Sequence, residues 1–103
     1  MRKVLVIGAG GIGSFLIPLL DRVDMYDITV ADPDKVETKN LPYQNFIKEA
    51  VNVNKAKWHE HSHDSVKKYI PYPILTEQQM QGYDLVGCCV DNLGLRKTLY
   101  NSE

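Results

Sequence analysis

The glycine-rich segment GAGGIG at residues 8–13 is the first stretch whose spacing could do chemistry. Glycines at positions 8, 10 and 13 follow the G-x-G-x-x-G spacing, in which the missing side chains let the backbone turn tightly and approach a phosphate. A helix that begins behind such a turn adds free N–H groups and a partial positive charge. We therefore expect Gly8, Gly10, Gly11 and Gly13 to form a phosphate-binding turn.

An acidic residue, Asp32, ends the next apolar run of the chain. In dinucleotide-binding folds a carboxylate at this place holds a ribose hydroxyl. The glycine turn and the acid together predict a nucleotide site, and a glycine-rich turn without a ligand is the less favoured interpretation. The pattern alone leaves NAD, FAD and ATP open as the nucleotide.

The segments around these residues predict alternating strands and helices. Apolar runs at 3–8, 27–32 and 83–90 are typical of strands buried on both faces of a parallel sheet. Helices are expected from Ile12, from about Val53 to Tyr69, at 76–81 and at 93–100. A short third strand, YPIL at 72–75, is expected where Pro71 and Pro73 favour the edge of the sheet. We predict one domain, residues 1–103, of the α/β class: a Rossmann-like parallel sheet of about four strands in the order 3-2-1-4.

The first helix carries apolar residues at helical spacing, which we interpret as one face of that helix. These residues are Ile12, Phe15, Leu16, Leu19, Leu20 and Val23. Pro18 lies inside this pattern and is expected to bend the helix or weaken one turn. The polar residues 33–52 that follow the second strand form a long connection, and such connections are usually functional.

The composition excludes several classes of protein. A net charge of -1 gives no field that attracts nucleic acid or an anionic membrane, and no apolar run is long enough to span a bilayer. Cys88 and Cys89 are adjacent in an apolar run, which indicates buried thiols in a reducing compartment. We therefore expect a cytoplasmic protein.

Three motifs downstream of the glycine turn resemble a known family. Asp32-x-Asp34, Val36, Asn40-Leu41 and Gln44 resemble D-x-D-x-V-x-x-x-N-L-x-R-Q of the ThiF/MoeB-like adenylating enzymes, relatives of the ubiquitin-activating enzymes. VNVNKA at 51–56 resembles V-G-x-x-K-A of the same family, and DLVGCCVDNLGLR at 84–96 resembles D-L-V-x-x-x-x-D-N-x-x-x-R. With the glycine turn, four motifs occur in order over nearly the whole chain.

This resemblance implies an ATP site and suggests a role for each matching residue. Lys55 is a flexible point charge suited to phosphate oxygens, and Asp91, at the carboxyl end of a strand, could hold Mg²⁺. Asn40 and Gln44 would donate neutral hydrogen bonds to the nucleotide. We expect Lys55 and Asp91 to be catalytic and Asp91 to be the metal ligand. The expected nucleotide-binding set is Gly8, Gly10, Gly11, Gly13, Asp32, Asp34, Asn40, Gln44, Lys55 and Asp91.

The chemistry that the resemblance implies is adenylation. The C-terminal carboxylate of a ubiquitin-like or sulfur-carrier protein attacks the α-phosphate of ATP, giving an acyl-adenylate and pyrophosphate. Positive charge and Mg²⁺ offset the charge of the phosphates, so positioning supplies most of the catalysis.

The chain departs from the family pattern at several places. Tyr43 stands where the family has arginine, and Asn52 stands where it has glycine. The segment between Lys55 and Asp84 is shorter than usual, and the chain ends soon after Arg96. We interpret the chain as a fragment or reduced version of a longer adenylating domain, with weak or absent catalysis in isolation.

Other interpretations stay open. An NAD(P)- or FAD-binding domain of an oxidoreductase, or a non-catalytic nucleotide-binding relative, would also carry the glycine turn. His59 and His63 are one helical turn apart and could share a metal, although a solvated polar helix face is the favoured interpretation. The strand at 84–90 lies at a sheet edge with no proline or lysine to protect it, so we expect a homodimer.

Overall fold

A computed structural model describes residues 1–89 as a four-stranded parallel sheet in the order β3-β2-β1-β4, which confirms the predicted Rossmann-like α/β fold. The strands are β1 (Arg2–Ile7), β2 (Tyr26–Ala31), β3 (Val66–Ile70) and β4 (Leu85–Cys88). Two α-helices, α1 (Gly11–Val23) and α2 (Lys55–Ser62), accompany three short 3₁₀ helices at Thr38–Asn40, Lys48–Ala50 and Glu77–Met80. The predicted final helix at 93–100 and Asp91 lie outside the described residues.

Side chains of the sheet alternate between two cores. One core lies between the sheet and the two α-helices and contains Val4, Val6, Ala9, Ile17, Ile28, Val30, Ala56 and Val66. The other lies on the opposite face and contains Leu5, Ile7, Ala31 and Ile74. Since the four strands are parallel, their carboxyl ends meet at one edge of the sheet, where ligands bind in open α/β folds.

The third strand was predicted at the wrong place. β3 is Val66–Ile70, with Val66 paired to Ile28, and not the proline-bracketed segment at 72–75. The helix predicted to run to Tyr69 ends at Ser62, because the chain turns at 63–65. Ile74 of the segment first taken for the strand is buried against the opposite face of the sheet.

None of the six apolar residues predicted to line one face of α1 is buried, although Leu20 packs against the core. Ile12, Phe15, Leu19 and Val23 are each more than half exposed, whereas Gly13 and Ile17 are buried against the sheet. A side chain on Gly13 would overlap the carbonyl oxygen of Gly8, so the close approach at this glycine sets the rotation of the helix. The helix continues through Pro18.

The long connection after β2 has a small core of its own. Val36, Phe46 and Ala50 are buried in it, with Leu41, Val51 and Trp58 packed around them. Val36 exchanges backbone hydrogen bonds of 2.8 Å with Asn52 and Val53. Asn52 has a φ of 74°, a left-handed conformation that asparagine tolerates better than most residues, so it can replace the family's glycine.

None of the helices within residues 1–89 is long and apolar enough to cross a membrane.

Candidate functional site

The glycine turn lies at the carboxyl ends of β1 and β2. Gly8 has a φ of 95° and donates its N–H to the Ala31 carbonyl over 2.8 Å, which attaches the turn to β2. Gly13 allows the start of α1 to contact this turn directly, as described above. A methyl group on Gly11 would meet nothing within 4 Å, so that position faces open space. Gly8 and Gly13 are therefore required by the backbone of the fold, whereas Gly11 is not.

Asp32 holds the glycine turn in addition to any contact with a ligand. The residue is 5% exposed, and its carboxylate accepts the Ala9 N–H at 2.7 Å and the Asp34 N–H at 2.8 Å. Burial raises the pKa of Asp32, although these two hydrogen bonds and the charge of Lys55 oppose that shift. The side chain of Asp34 is exposed beside it, so two carboxylates border the site.

Lys55 and Gln44 meet above Gly10. A methyl group on Gly10 would lie 2.9 Å from Oε1 of Gln44 and 3.1 Å from Nζ of Lys55. Lys55 is 7% exposed and forms no ion pair with a carboxylate of residues 1–89. The Gln44 oxygen is buried and has no hydrogen-bond partner among the same residues. Buried polar groups are rarely left unpaired, which marks this point as a site that a ligand could complete.

The structure places Asn40 differently from the other candidate residues. Its side-chain oxygen accepts the Glu37 N–H at 2.8 Å and closes the 3₁₀ turn at Thr38–Asn40. Its carbonyl oxygen accepts the Gln44 N–H, also at 2.8 Å. Asn40 thus shapes the connection that carries Gln44, while Tyr43 is 80% exposed on the same turn.

Two further contacts hold the site together and were not found from the sequence. Ser14, fully buried in α1, accepts the Asn45 N–H at 2.9 Å, and the side chain of Asn45 donates to the Ser14 carbonyl at 3.0 Å. Asn54 caps α2 through the Lys57 N–H and donates to the Asp32 carbonyl at 2.8 Å. An asparagine just before a helix is a recognisable cap, whereas nothing in the sequence links Ser14 to Asn45.

His59 and His63, the candidate metal pair, lie in different surroundings. His59 is buried beneath the glycine turn and does not lie on the predicted solvated face, whereas the Nδ1 of His63 is 3.4 Å from the Asp21 carboxylate. Within residues 1–89, no group of three histidine, cysteine or acidic side chains could hold a metal ion. Cys88 and Cys89 are free thiols, and burial raises the pKa of Cys89.

Known proteins are similar to this chain in sequence. The sequence model of the ThiF family matches residues 1–102. The adenylyltransferase and sulfurtransferase UBA4 of Yarrowia lipolytica is 33% identical over 106 aligned positions, covering 92% of this chain and 26% of UBA4.

Solved structures are similar in fold. E. coli tRNA N6-threonylcarbamoyladenosine dehydratase, TcdA, in complex with AMP has a TM-score of 0.87 at 21% identity, covering 98% of this chain and 45% of TcdA. E. coli MccB with MccA-N7isoASN has a TM-score of 0.78 at 23% identity, covering 89% of this chain and 29% of MccB. The chain therefore spans about a quarter of UBA4 and less than half of TcdA.

Proposed function

The chain belongs to the ThiF family, and from this premise we propose that it is the ATP-binding domain of an adenylating enzyme. The proposed site comprises the glycine turn, the carboxylates of Asp32 and Asp34, and the polar groups of Gln44 and Lys55. TcdA, whose fold this chain shares, was crystallised with both AMP and ATP.

The observation that carries the proposal is the position of Lys55. Lys55 is 7% exposed as a residue, and its ammonium forms no ion pair with a carboxylate among residues 1–89, so it is available to an anionic ligand. The ammonium lies beside Gly10, at the start of α1, where free N–H groups and the helix dipole also favour an anion. A phosphate at this point would accept hydrogen bonds from both the Lys55 ammonium and the free N–H groups of α1.

Gln44 supports the same assignment. Its unpaired oxygen lies on the Gly10 side of the site, and a half-turn of the carboxamide would direct its NH₂ group there instead. In that orientation Gln44 donates to a phosphate oxygen and loses its unpaired buried acceptor. Asn40, through its backbone bond to Gln44, holds the loop that carries this group.

The ribose is assigned to the two carboxylates at the end of β2. Asp32 already accepts two backbone N–H groups, but each carboxylate oxygen has a second lone pair for a hydroxyl. Asp34 is exposed and free to accept the other hydroxyl. An acidic pair here also disfavours a 2′-phosphate.

The proposed reaction is attack on the α-phosphorus of ATP by the C-terminal carboxylate of a ubiquitin-like or sulfur-carrier protein. One carboxylate oxygen forms a bond to the phosphorus, the bond to the β-phosphate bridge breaks, and pyrophosphate leaves. Lys55 stabilises phosphate charge in this proposal. Asp91, outside the described residues, is proposed as the Mg²⁺ ligand on the family motif alone.

Three further properties belong to the proposal. The domain extends over residues 1–103, and it forms a homodimer through the outer edge of β4, the last strand of the sheet. The free thiols of Cys88 and Cys89 are compatible with a reducing compartment, so we assign the protein to the cytoplasm.

A pair of lysine variants tests the ATP site. We expect Lys55→Ala to weaken ATP binding about ten-fold or more, because a charge-assisted contact to phosphate is lost. Lys57→Ala is the matched control. Lys57 lies on the exposed side of the same helix turn, and its replacement removes the same charge. Calorimetric titration of both variants with ATP and Mg²⁺ measures the effect. Equal affinities of the two variants would remove Lys55 from the site.

A further inference from the structure

His59 lies directly under the glycine turn. It is 1% exposed, at the middle of α2, and its Nε2 lies 3.2 Å from the carbonyl oxygen of Ala9. A carbonyl oxygen can only accept, so Nε2 carries the proton and donates it to Ala9. The other ring nitrogen, Nδ1, is buried and has no hydrogen-bond partner among residues 1–89. The bond to Ala9 is therefore the polar contact that the described residues give this ring.

The peptide units around Ala9 are held from two sides. Asp32, at the end of β2, accepts the Ala9 N–H at 2.7 Å, and His59 of α2 donates to the Ala9 carbonyl. The carbonyl of Ala9 and the N–H of Gly10 belong to one planar trans peptide, so they point in opposite directions. Fixing the carbonyl toward His59 consequently directs the Gly10 N–H away from it, and that N–H has no backbone partner within residues 1–89.

The ring of His59 is itself fixed by its neighbours. Phe46, from the core of the long connection, packs at a ring-centroid distance of 5.3 Å. The ring of His63 stacks on the ring of His59 at a centroid distance of 5.7 Å and an interplanar angle of 18°. His63 in turn lies 3.4 Å from the carboxylate of Asp21 in α1. The imidazole thus has little freedom to turn away from Ala9.

We propose that His59 is a positioning residue of the nucleotide site: it orients the Ala9–Gly10 peptide so that the Gly10 N–H is available to a phosphate. The inference rests on the proposed function, because it assigns a role within the ATP site. His59 touches no reacting atom and acts only through the turn.

The test compares two substitutions with different chemistry. His59→Gln places an amide NH₂ group close to the position of Nε2 and keeps the donor, whereas His59→Leu keeps apolar bulk and removes it. The same two substitutions at His61, which is exposed on α2, are the controls. Each variant of the 103-residue chain is titrated with ATP and Mg²⁺ and separately with adenosine, and urea unfolding monitors its stability.

We expect His59→Leu to weaken ATP binding about ten-fold, with adenosine binding changed less than two-fold, because only the phosphates contact the turn. His59→Gln is expected to retain ATP affinity within about three-fold. Equal loss in the two variants, or equal loss for ATP and adenosine, would show that His59 acts by packing alone and would overturn the proposal.

A second measurement requires neither ATP binding nor a folded His59→Leu variant. Backbone ¹⁵N relaxation of the ligand-free wild type and His59→Gln should show an ordered Gly10 amide, and ring ¹⁵N shifts should show the Nε2–H tautomer in the wild type. A disordered Gly10 amide or an Nδ1–H tautomer would contradict the inference. Failure of the wild type to bind ATP, with both signatures present, would instead remove only the proposed function.

Discussion

At the residue scale, the glycines of the turn have different tasks. Gly13 is required because any side chain there would overlap the Gly8 carbonyl, a backbone group that cannot move aside. Gly11 faces open space and is not needed by the fold. Spacing alone predicts which residues are glycine in such a turn, but the separation of structural from ligand-facing glycines requires the distances.

This difference gives the first residue-scale prediction. We expect Gly13→Ala to lower the free energy of unfolding by about 3 kcal/mol or more, since it forces α1 away from the turn. Gly11→Ala is the control and should leave stability unchanged or raise it by up to about 1 kcal/mol, because alanine favours the first helical turn. Urea unfolding measures both. A Gly13→Ala chain as stable as the wild type would mean that α1 does not approach Gly8 so closely.

The site was partly predictable from residue types. The glycine turn, Asp32, Gln44 and Lys55 lie together at one end of the sheet, while their binding of a nucleotide stays a prediction. The motifs did not reveal that Asp32 is committed to the backbone of Ala9 and Asp34, nor that Asn40 closes a turn. The bond between Ala9 and Asp32 joins positions 23 residues apart, so local sequence carries no signal for it. The bonds of Asp32 to Asp34 and of Asn40 to Glu37 are local side-chain turns, which the family motif did not separate from ligand contacts.

At the scale of elements, α2 links the site to the rest of the molecule. Asn54 attaches its first turn to the end of β2, and Lys55 and His59 project from it toward the glycine turn. The sequence predicted the start of this helix to within about two residues but placed its end seven residues too late. Polar residues between His63 and Ser65 gave no strong stop signal, and VKKYI of β3 lacks the alternation of a half-buried strand.

The burial of His59 in α2 predicts a pH dependence of stability. Burial lowers the pKa of His59 to about 4, against a reference value of 6.5, even though its hydrogen bond to Ala9 opposes the shift. Between these pH values the unfolded chain binds the additional proton, so the free energy of unfolding falls as the pH falls from 6.5 to 4. The total is on the order of 3 kcal/mol.

The raised pKa of Asp32 acts in the opposite direction, over pH values just above 3.8, and reduces the net slope there. Urea unfolding of the wild type and of His59→Gln at several pH values between 4 and 7 would measure the contribution of His59. The variant should lose most of the wild-type slope. Parallel pH profiles for the two chains would show that His59 is not the group responsible.

At the scale of the whole molecule, the two edges of the sheet differ. β3 carries Lys67 and Lys68 and is followed by Pro71, three features that discourage pairing with another strand. β4 has no such residue within Leu85–Cys88, and Leu85 and Val86 are 46% and 41% exposed. The sequence predicted the strand order, and hence that β4 lies at one edge of the sheet formed by residues 1–89. Residues 90–103 lie outside the described part of the chain.

We therefore predict a two-fold dimer through β4. Light scattering in the micromolar range should give twice the chain mass for the wild type and a monomer for Val86→Lys. Tyr72→Lys, which places the same charge on an exposed apolar residue away from β4, should remain dimeric. Urea unfolding confirms that each variant is folded. A monomeric wild type, or a folded Val86→Lys dimer, would contradict pairing through this edge.

The most direct test of the ATP assignment is calorimetric titration of the wild-type chain with ATP and Mg²⁺ in parallel with NAD. The ammonium of Lys55 beside Gly10 matches a triphosphate, so we predict saturable binding of ATP at one site and weaker binding of NAD. Binding of NAD as tight as or tighter than that of ATP would contradict the assignment and favour a redox domain. Binding of neither nucleotide would leave a family fold that has lost its ligand.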